Sequence, residues 1–199
     1  MQKYKRKSSI ETMVLLAILT ALVILLQFLG SFIRFGPFSI SLVLLPIVVG
    51  AASCGIGAGA WLGLVFGAVV LISGDAAAFL TFHPAGTVIT VLVKGIACGL
   101  ASGLVYKCIE KFNLYVAVVA AAVVCPLVNT GVFLIGCCLF FLELVSEWGA
   151  ALGYENVGAY MFLGLAGFNF LFELGTNIVL SPIIVRLLNI RRKSSPENT

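Results

Sequence analysis

The feature that most constrains this chain is the length of its uncharged runs. Met13 to Leu29 holds no charged residue, and apolar runs of similar length recur to the end of the sequence. A helix needs roughly 20 mainly apolar residues to cross the hydrocarbon core of a bilayer. Six such spans with short connections use up 199 residues. The expected fold is therefore an all-α integral membrane protein of six transmembrane helices, one domain over residues 1–199. Residues 1–9 form a cytoplasmic N-terminus and 189–199 a flexible cytoplasmic tail. Only 10% of residues are charged, against about a quarter in soluble domains.

The spans are read from Gly, Pro and charge punctuation. Helix 1 is expected from about Ile10 to Phe32, ended by Arg34-Phe35-Gly36-Pro37. Helix 2 covers about Ser39 to Ala52, with Pro46 as a kink. Gly55 to Gly59 leads into helix 3, which ends near Ser73. An outer loop runs from Gly74 to Gly86. Helix 4 spans Thr87 to Tyr106, helix 5 Leu114 to Leu142 with Pro126 inside it, and helix 6 Ala159 to Leu188. Between the last two lies the longest outer loop, Glu143 to Gly158. The basic N-terminus before an apolar run could be a cleaved signal, but no small-x-small site follows the run, so helix 1 reads as retained.

The net charge of +4 is topological rather than a nucleic-acid footprint. An inside N-terminus puts ten of the twelve basic residues in the cytoplasm. Asp75, Glu143, Glu147 and Glu155 then fall outside, as the positive-inside rule favours. Both termini are thus expected to be cytoplasmic. The cysteines Cys54, Cys98, Cys108, Cys125, Cys137 and Cys138 lack metal-type spacing and read as small hydrophobes. His83 is the lone histidine, so no metal or other cofactor is expected.

Two kinds of pattern stand out within the spans. Gly55, Gly59, Gly63 and Gly67 recur every four residues, and Gly95, Gly99 and Gly103 repeat the spacing in helix 4. Each ladder lines one helix face and lets another backbone approach closely. That face either packs inside the protein, the more ordinary use, or slides against a partner. Intramembrane polar residues form the second pattern: Lys94, Asn129, Asn169, Glu173 and Asn177. A bare charge in lipid costs on the order of 2.5–3.5 kcal/mol, so these face the interior or water. Asn169, Glu173 and Asn177 share one face of helix 6. With Lys94 and Asn129 they either enclose an outward-opening pocket or merely glue helices together around a Lys94–Glu173 ion pair. Arg34, Phe35 and Phe38 at the first outer turn, with Asp75, Phe79, Phe82 and His83 in the second outer loop, could lid such a pocket. The aromatic rings would stack on a flat ligand and Arg34 would meet an anion; interfacial anchoring is the plainer role for the Phe residues. No phosphate loop, G-x-S-x-G or H-E-x-x-H motif is present, which argues against ATP hydrolysis or proteolysis by this chain.

Taken in order, the sequence resembles the substrate-binding S components of energy-coupling factor (ECF) vitamin transporters. The resemblance rests on a basic N-terminus, Ala17-x-x-x-Ala21 in helix 1, Gly36-Pro37-Phe38-Ser39-Ile40, Leu45-Pro46, the Gly-rich start of helix 3 and Leu92-Val93-Lys94-Gly95. It covers nearly the whole chain and is closest to the riboflavin, pantothenate and folate group. It implies a bacterial plasma-membrane subunit, not an enzyme, that binds a vitamin near the outer face with high affinity. It also implies partnership with a membrane coupling protein and two cytoplasmic ATPases, with docking through Ala17 and Ala21. Arg34 or Lys94 pairing with a ligand carboxylate would favour pantothenate or a folate. The alternatives are a stand-alone carrier or channel, and a membrane-bound enzyme or scaffold.

Overall fold

The structure, a computed structural model, describes residues 2–32, 34–35, 38–39 and 42–194; side chains are described for residues 10–32, 42–167 and 169–190. α1 runs Gln2–Ser31 and leads to two-residue strands, β1 (Arg34–Phe35) and β2 (Phe38–Ser39), which pair antiparallel. α2 (Leu44–Cys54) and α3 (Ile56–Ile72) follow, then a short α4 (Ala77–Phe82). α5 (Pro84–Ile109) and α6 (Leu114–Phe140) are long. α7 (Leu142–Ala151) and the single turn α8 (Val157–Ala159) precede a π-helical segment, Tyr160–Leu165, and α9 (Gly167–Ser194).

Local chemistry sets many of these boundaries. Gly55 has φ +99°, a left-handed backbone that L side chains resist, and it alone separates α2 from α3. Gly74, at φ +84°, turns the chain from α3 toward α4. His83 caps α5, its Nδ1 accepting from the Gly86 N–H at 2.9 Å. Pro84 follows at the first helical position, where its missing N–H costs nothing. Asn113 caps α6 by accepting from the Val116 N–H at 3.1 Å.

Four helical stretches are long and apolar enough to cross a membrane: Ile10–Ser31, Pro84–Ile109, Leu114–Phe140 and Val157–Ile190. α2 and α3 are apolar but shorter, at 11 and 17 residues. The outward surfaces of the apolar helices stay greasy: Ile72 of α3 is 75% exposed, Val179 of α9 74% and Leu163 of the π-helical segment 71%. So much exposed hydrocarbon on most of the long helices marks a membrane protein, whose surface meets lipid.

Several expected boundaries are corrected. α2 begins at Leu44 rather than Ser39. The outer loops Gly74 to Gly86 and Glu143 to Gly158 contain α4 and α7. Both are short helices whose apolar sides pack on one end of the bundle. Phe79 of α4 lies 5.0 Å from the Phe141 ring and 5.5 Å from Trp148. The expected flexible tail is helical as far as Ser194.

The core explains how the bundle is held. α5 sits between α3 and α6, and α6 packs on α9. The α3–α5 seam is the closest approach. A Cβ at Gly59 would lie 2.5 Å from the Gly99 carbonyl oxygen, and one at Gly67 would lie 2.8 Å from that of Val91. Between them Gly63 and Gly95 leave no room for a Cβ on either side, and Gly99 none toward Gly59. The glycine ladders thus face each other inside the molecule. Close backbones allow weak Cα–H···O contacts and dense packing, which replace the missing hydrophobic drive between helices in lipid. On α1, Leu19 and Val23 point inward, whereas Ala17 and Ala21 lie on its exposed face.

Candidate functional site

The intramembrane polar residues converge. A cavity of about 80 Å³ is lined by Gln27 from α1, Phe66 from α3, Asp75 and Phe79 around α4, Lys94 from α5, Asn129 and Phe133 from α6, and Asn169 and Glu173 from α9. A second void of about 60 Å³ lies beside it, sharing Lys94, Asn129, Phe133 and Asn169 and reaching Leu165 and Ala166 at the end of the π-helical segment. Lys94 is ten residues into α5, roughly 15 Å along the helix axis from its start at Pro84.

Both carboxylates accept from neutral side chains. Glu173 is 2% exposed and accepts from Asn129 Nδ2 at 3.4 Å and Asn169 Nδ2 at 3.1 Å. The Asn169–Glu173 bond is the four-residue helical spacing made visible. Asp75 accepts from Gln27 Nε2 at 2.5 Å and from Ser73 Oγ at 3.3 Å. Asn177, one turn further along α9, donates to the Ala122 carbonyl at 3.2 Å and serves as interhelical glue.

Lys94 is held differently. Its ammonium lies 5.4 Å from the Phe66 ring centroid and 5.5 Å from that of Phe133, within cation–π range. Among the described residues it makes no ion pair and no hydrogen bond, so the Lys94–Glu173 ion pair of the helix-glue alternative is not seen there. Among the described residues, Asn129 Oδ1 is also buried with no hydrogen-bond partner. Donor capacity at Lys94 and acceptor capacity at Asn129 are therefore left over among the described residues.

Of the residues singled out from sequence, Asp75, Lys94, Asn129, Asn169 and Glu173 line the cavity. His83 is exposed and caps α5, its ring 5.6 Å from that of Phe140, rather than lining the cavity. The side chains of Arg34, Phe35 and Phe38 lie outside the described residues. Phe79 joins the wall and Phe82 does not. Gln27, Phe66 and Phe133 are additions. Gln27 was open to detection, since it is an amide in an uncharged span and the rule that singles out the other polar residues applies to it. Phe66 and Phe133 carry no such mark, because an apolar residue in a membrane helix says nothing of which way it faces.

A polar cavity in a helical membrane bundle defines a small-molecule-binding membrane protein. The sequence matches the family described as ECF transporter, substrate-specific component, over residues 11–185. The chain belongs to that family, and is thus a transport subunit that binds a small-molecule substrate and works with an ECF module. No curated protein matches the sequence significantly.

Proposed function

We propose that this chain is the high-affinity binding subunit of an ATP-driven importer for a water-soluble vitamin of the pantothenate, folate or riboflavin class. It would sit in a bacterial plasma membrane with six crossings and both ends inside, α2 and α3 supplying the two shorter ones. Arg34, Phe35, Phe38, Asp75, Lys94, Asn129, Asn169 and Glu173 are the proposed binding residues; His83 would act only by positioning the start of α5. A coupling protein would dock on Ala17 and Ala21, with two ATPases beneath it.

The observation that carries this reading is the convergence of polar groups from α1, α5, α6 and α9 on one cavity. Intramembrane polar groups are costly to keep, and such a cavity is what a nutrient site needs. At about 80 Å³ it is small beside the roughly 300 Å³ of ligand pockets, so a vitamin would have to part its outer walls. The exposed small side chains of Ala17 and Ala21 suit a close, reversible helix contact.

The test is uptake in vesicles or cells that carry the chain with and without a coupling protein and two ATPases. ATP-dependent uptake that vanishes when the ATPases are disabled is the expected result. Uptake undiminished without them would favour a stand-alone carrier. Ala17→Trp with Ala21→Trp should abolish copurification of the coupling protein and leave substrate binding intact.

A further inference from the structure

We infer that the end of the bundle away from α4 and α7 holds a site for one phospholipid, whose head carries both a phosphate and a primary ammonium. The site lies where α2 turns into α3, beside the C-terminal end of α5, and it is separate from the substrate-binding role. A cavity of about 270 Å³ opens there, against about 80 Å³ for the central one. Lys107 on its wall is thirteen residues past Lys94 on the same helix, roughly 20 Å along the axis. The two cavities share no lining residue.

The room comes from small residues. Gly55, at φ +99°, reverses the chain between α2 and α3, and a Cβ there would meet nothing within 4 Å. Ala51 and Ala52 line the α2 side. Gly103 lines the α5 side, where a Cβ would lie 3.0 Å from the Ile56 Cα and 3.5 Å from the Ala51 Cβ. Larger side chains at the lining positions would take up the space.

The charged groups on the wall come in both signs. Lys107 and Glu110 both line the cavity, and residues three apart are neighbours on a helix surface. Lys107 makes no ion pair and no hydrogen bond among the described residues. Glu110 already has an interaction within the protein, and an ionised carboxylate can accept several bonds. A purely anionic ligand would meet like charge at Glu110, and a purely cationic one at Lys107. A phosphate and an ammonium joined by a short link suit both, with charge-assisted bonds at each end.

Position and neighbouring surface point to a lipid rather than a soluble molecule. The cavity lies at the end of Pro84–Ile109, a stretch long and apolar enough to cross a membrane, where head groups begin. Basic pockets between membrane helices at such a depth hold lipid head groups. Lys107 also shares one stripe of α5 with Leu104, Leu100 and Val93, in steps of three, four and seven residues, which is helical spacing. All three apolar residues are exposed. An acyl chain anchored at the cavity would run along that stripe toward the middle of the bilayer.

The test is native mass spectrometry of the purified, full-length protein, taken from bilayers of phosphatidylethanolamine, phosphatidylglycerol and phosphatidylcholine in equal amounts with identical acyl chains. One phosphatidylethanolamine should stay bound, enriched about tenfold over each of the others. Phosphatidylglycerol lacks the ammonium, and the choline head has no N–H to donate. Lys107→Gln should lower retention of all three lipids. Glu110→Gln should remove the preference over phosphatidylglycerol, and Ala52→Phe should empty the site. If Ala52→Phe does not fold, the other two variants make the comparison.

No lipid retained above its share, or phosphatidylglycerol preferred, would overturn the inference. So would a preference unchanged in both Lys107→Gln and Glu110→Gln. Free phosphoethanolamine at millimolar concentration should leave the lipid in place. Its displacing the lipid would assign the cavity to a soluble molecule and overturn the inference as well.

Discussion

Lys94 and Gly95 are neighbours in the chain but belong to opposite kinds of place. Gly95 faces α3 in a seam with no room for a single methyl group. Lys94 borders two voids and lacks any oxygen partner among the described residues. One helix, α5, thus carries a dry, backbone-tight face and a polar, under-filled one about 100° apart. The seam is rigid because neither backbone can move without parting the helices. The cavity can adapt because its walls are side chains, joined by hydrogen bonds that can be exchanged for bonds to a ligand. The seam holds α5 still enough for Lys94 to keep its place.

Substitutions can break or sharpen this contrast, and the largest effect belongs to the seam. Gly63→Ala sets a methyl group against the Gly95 backbone. Overpacking of this kind costs on the order of 3 kcal/mol, so the melting temperature in detergent should fall by about 6–12 °C. A value within about 2 °C of wild type would mean that the seam yields and the contrast is false.

Glu173→Gln should come next. It keeps the shape but replaces a carboxylate accepting from two asparagines with a group that has one acceptor oxygen. Losing one charge-assisted bond costs about 1.5–3 kcal/mol, read as a lower melting temperature and weaker joining of α6 to α9. Unchanged stability would show that the cavity walls do not depend on that carboxylate.

Gln27→Leu removes the bond that joins α1 to Asp75. A loss of about 1 kcal/mol is expected, a shift of roughly 2–4 °C. Hydrogen exchange should show the C-terminal end of α1 opening more readily; no change there would put Gln27 outside the support of the cavity.

The smallest effect is the control. Gly131 lies within α6, and a Cβ there would meet nothing within 4 Å. Gly131→Ala should stabilise by about 0.5–1 kcal/mol through helix propensity, read as a slight rise in melting temperature. A fall would show that glycines outside the seam are constrained too.

Much of the architecture was legible residue by residue. Gly55 and Gly74 mark turns, and His83-Pro84 and Asn113 mark helix starts, because the signals are local. The glycine ladders announced close packing, and the structure gives them to each other rather than to a partner. The shared face of Asn169 and Glu173 followed from helical spacing. Other features lacked a local sign. α4 and α7 are too short to register as spans, and they are helical because they have a bundle end to pack on. The π-helical segment Tyr160–Leu165 lies in a run that reads as ordinary α-helix. That Lys94 would sit over Phe66 and Phe133 rather than against Glu173 depends on side chains from three other helices.

By itself, the sequence determined the solvent: hydrophobicity sums along each segment, and no tertiary contact is needed to send so apolar a chain into a bilayer. It also determined which residues lipid would reject. Only the tertiary structure decided which of those rejected residues share a cavity and which groups are left unmatched within it. Those outcomes depend on the rotation and register of one helix against the next, and here the fit of glycine backbone on glycine backbone fixes α5 against α3.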